Sequence, residues 1–118
     1  FSLPKKTEEE QAARQQAVQD ATRYATEVPF KTLRLCYECM SVAKAMAEIG
    51  NPNSVTDAGV GALAARAGVM GAFLNVKINA AGLEDKAFAA DIINQGAEIV
   101  AKANALEAEI LEIVNSKI

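Results

Sequence analysis

Residues 54–79 read SVTDAGVGALAARAGVMGAFLNVKIN, and this stretch decides the fold. Between Asp57 and Lys77 the sole charge is Arg66. Apolar residues fall on every side, which predicts a helix with no broad solvent face, buried over most of its surface. One stripe carries small residues, Ala58, Gly61, Ala65, Gly68 and Ala72, and ends in Asn75 and Asn79. Alternating steps of three and four keep these positions on one face. Small side chains let another backbone come close. The two carboxamides give the far end of that contact a hydrogen-bonding capacity that packing alone does not need. A membrane-spanning helix also shows about twenty mostly apolar residues. Arg66 near its centre would cost such a helix about 2.5–3.5 kcal/mol, and no cationic flank orients it. The stretch therefore reads as the core helix of a soluble protein with no membrane partner.

The flanking segments are helical too. Thr7 and Glu10 form a capping box that starts a first helix near Glu8. Its apolar line is Val18, Ala21, Ala25 and Val28. Pro29 removes an amide and crowds the preceding turn, but no loop-forming residue surrounds it, so a kink rather than a stop is expected. Beyond it, Val28, Thr32, Leu35, Cys39, Val42, Met46 and Ile49 have helical spacing and read as the core-facing line. Gly50 fits a left-handed helix stop. Asn53 or Ser54 is placed to cap the central helix, with Asp57 in its first turn, where a carboxylate favours the exposed amides. Past Gly82, Glu84 or Asp85 opens a last helix to about Ser116, with the seam Ile92, Gly96, Ile99, Ala103, Leu106, Ile110 and Ile113. No stretch alternates with period two, so no sheet is expected. The predicted fold is an all-α helical bundle: a kinked long helix, a central buried small-residue-rich helix and a long C-terminal helix.

Composition narrows the function classes. The chain has 118 residues, 51% hydrophobic but only 5% aromatic, which points to closely packed alanine-rich helices. A net charge of −3 leaves no basic surplus for nucleic acid. There is no histidine, so the usual general base and the commonest metal ligand are missing. Cys36 and Cys39 are spaced as C-x-x-C, but they sit well inside a helical pattern, and no further cysteine completes a zinc site. They read as buried free thiols in a reducing, cytoplasmic setting, and no metal is expected. Arg66 reads either as an ion pair with a neighbouring carboxylate or as a clamp for a substrate carboxylate, with the first favoured. Asn75 and Asn79 either bond to helix ends across the bundle or orient a polar heterocycle; spacing does not choose. Phe1, apolar and just before a turn, looks like a cut inside a larger domain.

Several stretches together resemble the cyclodeaminase/cyclohydrolase domain of folate metabolism. They are Phe1-Ser2-Leu3-Pro4-Lys5 with Thr7-Glu8-Glu9-Glu10, Ala25-Thr26-Glu27-Val28-Pro29, Gly50-Asn51 with Asn53 and Ser54, Asp57-Ala58-Gly59-Val60, Gly71-Ala72 with Asn75-Val76 and Asn79, and Gly82-Leu83 before Ala87-Phe88-Ala89. The resemblance covers nearly the whole chain. It implies an all-α homodimer with a tetrahydrofolate one-carbon adduct as substrate and no bound cofactor. In the cyclodeaminase reaction N10 of 5-formiminotetrahydrofolate attacks the formimino carbon and ammonia leaves, giving 5,10-methenyltetrahydrofolate. In the alternative, cyclohydrolase, reaction water attacks the methenyl carbon and the ring opens to 10-formyltetrahydrofolate. The cyclodeaminase is the first expectation. A non-catalytic helical dimerisation module is the reading from another class.

The family pattern begins upstream of Phe1 with a Pro-Gly-Gly-Gly-Ser segment and an Asp-x-Asp-Ala motif, the expected source of the main acid/base. Residues 1–118 thus match the C-terminal portion of the domain, and the N-terminal helices are expected to cover part of the small-residue face. Within the chain the resemblance points to Asp57, Asn75, Asn79 and Asn51 as substrate-binding positions, and to Lys5 as a partner for the glutamyl tail of folate.

Overall fold

The computed structural model describes all of residues 1–118 and contains three long helices and no strand. The first, α1, runs Glu8–Ile49; a single 3-10 turn, Pro52–Ser54, leads into α2, Val55–Ala80; and α3 spans Lys86–Asn115. Thr7 caps α1 by accepting from the Glu10 amide at 3.0 Å, and the Glu10 carboxylate accepts from the Lys6 amide at 3.0 Å. The reciprocal bond of the capping box therefore closes on the residue before the cap. The helix continues through Pro29. Gly50 ends it in an extended conformation, not the left-handed one expected, and no residue has positive φ. Glycine is required there by crowding: a Cβ would lie 2.4 Å from the Met46 carbonyl oxygen. Asp85 caps α3 by accepting from the Phe88 amide at 3.0 Å.

The helices lie side by side, with α2 antiparallel to both neighbours. At one end, Gln19 bonds the α2–α3 turn, accepting from the Glu84 amide at 2.9 Å and donating to the Gly82 carbonyl at 3.3 Å. At the other end the Lys117 ammonium donates to the Ala47 and Glu48 carbonyls at 2.6 and 2.7 Å. The last turn of α1 holds no basic residue of its own. Lys117 supplies the cation that the unsatisfied carbonyls and the helix dipole favour.

The core of α1 is a seven-residue repeat, Thr26, Leu33, Met40 and Ala47, all buried, with Phe30, Tyr37 and Ala43 beside it. This overturns the predicted core line. Val28, Leu35, Val42, Met46 and Ile49 lie on a second apolar stripe that is exposed, Val42 by 61%. Both stripes have helical spacing, and α2 and α3 take only one of them. The expected all-round burial of α2 is overturned for the same reason: Val60, Leu63, Met70, Leu74 and Ile78 are exposed. The α3 seam is as predicted in Ile92, Gly96, Ala103 and Ile110, with Ala89 and Val114 extending it.

The molecule measures 68 × 24 × 15 Å with a radius of gyration of 19.5 Å. A compact chain of this length has a radius of gyration of about 13–14 Å. Only 19 of 118 residues are buried. The three helices thus form one layer of the two that a domain core requires. By length and composition α2 is apolar enough to cross a bilayer. Within the layer, Arg66 is held at the α3 side, donating to Asn104 Oδ1 at 3.0 Å and pairing with Glu107 at 3.5 Å. That is the ion-pair reading of Arg66.

Candidate functional site

The exposed stripe of α1 and the small-residue stripe of α2 run alongside each other and form the walls of a groove that holds two separate cavities. Its sequence logic is simple. On α1, residues 25, 28, 29, 32, 39, 42, 43 and 46 share a face; on α2, residues 57, 58, 61, 68, 72, 75 and 79 do. The floor is close-packed where glycine permits it. A Cβ on Gly68 would meet Cys36 Sγ at 2.7 Å, so α1 and α2 approach there as the small residues predicted. At Gly61 a Cβ would meet nothing within 4 Å, and there the groove is open.

One end of the groove is lined by Cys39, Val42, Met46, Asn51, Asp57 and Gly61. Asn51 is held in a tight turn, its Oδ1 accepting from the Asn53 amide at 3.0 Å. Ser54, at the N-cap position of α2, makes no side-chain cap bond. Asp57 is exposed in the first turn, makes no hydrogen bond or ion pair within the chain, and is the one carboxylate lining the groove.

The middle of the groove is lined by Ala25, Val28, Pro29, Thr32, Gly68, Ala72, Asn75 and Asn79. Neither asparagine reaches across the bundle. Asn75 Nδ2 donates to the Gly71 carbonyl at 3.4 Å and Asn79 Nδ2 to the Asn75 carbonyl at 2.9 Å, both on their own helix. Beyond Asn79, Phe1 and Leu3 close the far end against Val18 and Ala21. Lys5 follows in the same N-terminal segment, exposed, with its carbonyl accepting from Gln11 Nε2 at 3.2 Å.

Asn51, Asp57, Asn75 and Asn79 thus share one groove, but as two separate groups. Eighteen residues of helix separate Asp57 from Asn75. That is about 27 Å at 1.5 Å per residue. That is several times the width of a bicyclic ring, so the two groups cannot both contact one such ring from the same chain. The α1 wall was missed in the sequence because its residues were assigned to the core. Thr26, Leu33, Met40 and Ala47 recur every seven residues, but so do Val28, Leu35, Val42 and Ile49, so spacing alone does not free them.

Neither cysteine is in a disulfide; Cys36 is half-buried against Gly68, and Cys39 is exposed in the groove. No cluster of acidic or sulfur side chains has the arrangement of a metal site.

A family model described as formiminotransferase-cyclodeaminase matches residues 1–98. The chain belongs to that family. It is 45% identical over all 118 residues to a methenyltetrahydrofolate cyclohydrolase of Methylorubrum extorquens, and it spans 57% of that relative's length. It is 35% identical over 88 residues to the formimidoyltransferase-cyclodeaminase of Rattus norvegicus, covering 16% of that longer protein. Against the Sus scrofa protein of the same name it is 30% identical over 117 residues, 22% of the relative's length.

Proposed function

We propose that the protein containing this chain is a tetrahydrofolate one-carbon enzyme acting at the 5,10-methenyl level, and that the α1–α2 groove is part of its folate cleft. The observation that carries this is the placement of Asn51 and Asp57 at one end of the groove and of Asn75 and Asn79 in its middle, all family-pattern positions. Within the reaction pair, cyclohydrolase is the reading we favour. The relative carrying that name is matched at 45% over the whole chain, whereas the cyclodeaminases named above are matched at 30–35%. Water then adds to the methenyl carbon, a proton leaves the water, and the ring opens at nitrogen. Asp57, the one carboxylate lining the groove, is a candidate for touching another part of the substrate or bracing the residues that do. The family's upstream acidic motif supplies the main acid/base in this reading. The cyclodeaminase reaction on 5-formiminotetrahydrofolate remains the second reading, supported by the name of the family model that matches residues 1–98.

The proposal includes a cytoplasmic homodimer. The exposed stripes flanking the groove are the surface on which a second copy and the domain's N-terminal helices would pack, completing the second layer. No bound cofactor or metal takes part in this reading.

The test is an assay of the full-length protein with each substrate separately, following methenyl absorbance. Cyclohydrolase activity removes the absorbance of 5,10-methenyltetrahydrofolate; cyclodeaminase activity creates it from 5-formiminotetrahydrofolate. Activity on neither substrate overturns the proposal. Asp57→Asn preserves most of the capping ability at the start of α2. We expect it to lower turnover by about tenfold or more, at least about 1.4 kcal/mol of barrier. Unchanged turnover would leave Asp57 a structural residue.

A further inference from the structure

The middle of the groove has a chemical bias that the residue types alone do not reveal. Four of the residues lining it carry oxygen acceptors. Asn75 and Asn79 each have their amide nitrogen bonded to a backbone carbonyl on α2, at 3.4 and 2.9 Å. A carbonyl can only accept, so this fixes the side-chain orientation: one N–H of each amide faces the helix, Oδ1 turns away from it, and the second N–H is left unpaired. Thr32 donates its hydroxyl to the Val28 carbonyl at 3.3 Å, which leaves only the lone pairs of Oγ for the groove. The fourth acceptor is a backbone carbonyl. In an α-helix the carbonyl of Ala25 would receive the amide of residue 29, and residue 29 is proline. Pro29 therefore leaves the Ala25 carbonyl without its helical donor at a point where both residues line the groove. No charged side chain lines this segment. It is an open depression of about 390 Å³.

Acceptors without a carboxylate favour a neutral ligand edge rich in N–H over a cation. The prolyl ring, Val28 and Ala72 offer apolar surface to a flat ring, and Gly68 keeps the wall low. We infer that the segment between Pro29 and Asn79 takes the N–H-bearing edge of the reduced pterin, its 2-amino group and ring N–H, with Asn75, Asn79, Thr32 and the carbonyl freed by Pro29 as the acceptors. This rests on the folate reading above and adds the ring's location and orientation. The pterin lies at the asparagine end, and Asp57 is too distant on the same chain to touch it.

The test uses the full-length protein and two probes, 5-formyltetrahydrofolate and its 2-desamino analogue, with affinities measured by calorimetry. Wild-type protein is expected to bind the amino-bearing probe about tenfold more tightly, the scale of one well-made hydrogen bond with an otherwise unpaired acceptor. Asn75→Leu and Asn79→Leu are expected to weaken the amino-bearing probe and to reduce that ratio toward one. Pro29→Ala gives the Ala25 carbonyl an amide partner. It is expected to reduce the ratio while raising the melting temperature, a combination that a purely structural proline would not produce. A wild-type ratio near one, or a ratio unchanged in all three variants, overturns the inference while leaving folate binding intact. Failure of the wild-type protein to bind either probe overturns the folate reading itself, and this inference with it.

Discussion

Along α2, Ala62, Val69 and Val76 are buried, whereas Val60, Leu74 and Ile78 on the opposite side stand exposed, Ile78 by 74%. The residue types on the two sides are alike. What separates them is that α1 and α3 press on one side and nothing in the chain presses on the other. The same contrast repeats on α1, where Leu33 is buried completely and Leu35, two residues on, is 50% exposed. Apolarity in a helix therefore records that a face will be covered, not by what. One side of the layer is a finished core and the other is an exposed apolar face.

The largest expected effect separates these sides directly. Leu33→Ala removes a fully buried side chain and should cost about 2–5 kcal/mol of unfolding free energy, measured by denaturant titration of the full-length protein. Leu35→Ala should cost no more than about 0.5 kcal/mol within the layer. If a second copy covers that stripe, as proposed, the Leu35→Ala loss should grow on dilution, because dimer stability depends on protein concentration. A Leu35→Ala loss that matches Leu33→Ala and ignores concentration would mean that the same chain covers both sides.

A pair of glycines sharpens the comparison at smaller scale. At Gly96 on α3, an added Cβ would lie 2.6 and 2.8 Å from Cε1 and Cδ1 of the Phe73 ring. Gly96→Ala should therefore lose about 1–2 kcal/mol net, overpacking outweighing alanine's better helix propensity. At Gly61 no atom lies within 4 Å of the added Cβ. Gly61→Ala should gain up to about 1 kcal/mol in thermal or denaturant unfolding. A loss at Gly61 instead would show that something in the full-length protein approaches this edge of the groove, as the small-residue stripe anticipates.

How much of this was readable beforehand follows from the same asymmetry. The α3 seam was legible because Ile92, Gly96, Ala103 and Ile110 form its one apolar stripe, opposite glutamates and lysines. The caps at Thr7 and Asp85 were legible because they depend on residues a few positions away. The helix through Pro29 was legible because no turn-forming residue offered an alternative. The face of α1 was not, since it carries two apolar stripes and choosing between them needs the partner helices. The site was half legible. Family-pattern residues located the groove, but the direction of the Asn75 and Asn79 amides depends on carbonyls that only the folded helix presents.

The smallest effect concerns the finished side. Lys44 on α1 reaches Glu109 on α3 at 2.6 Å and Glu48 at 3.8 Å. The hydrogen bond and charge of Glu109 raise its pKa above the ordinary lysine value of 10.5, with Glu48 adding in the same direction. A raised lysine pKa means that the folded protein holds this proton more tightly than the unfolded chain. The stabilisation is therefore complete below pH 10.5 and disappears as the pH rises through the folded-state value. Because the pair is open to solvent, the effect should be slight and should weaken further in salt. Unfolding midpoints measured from pH 9 to 12 should show the wild type losing a little more stability above about pH 10.5 than Glu109→Gln does. Parallel curves would mean that the pair does not tie α1 to α3, leaving that contact to apolar packing and to Lys117 at its far end.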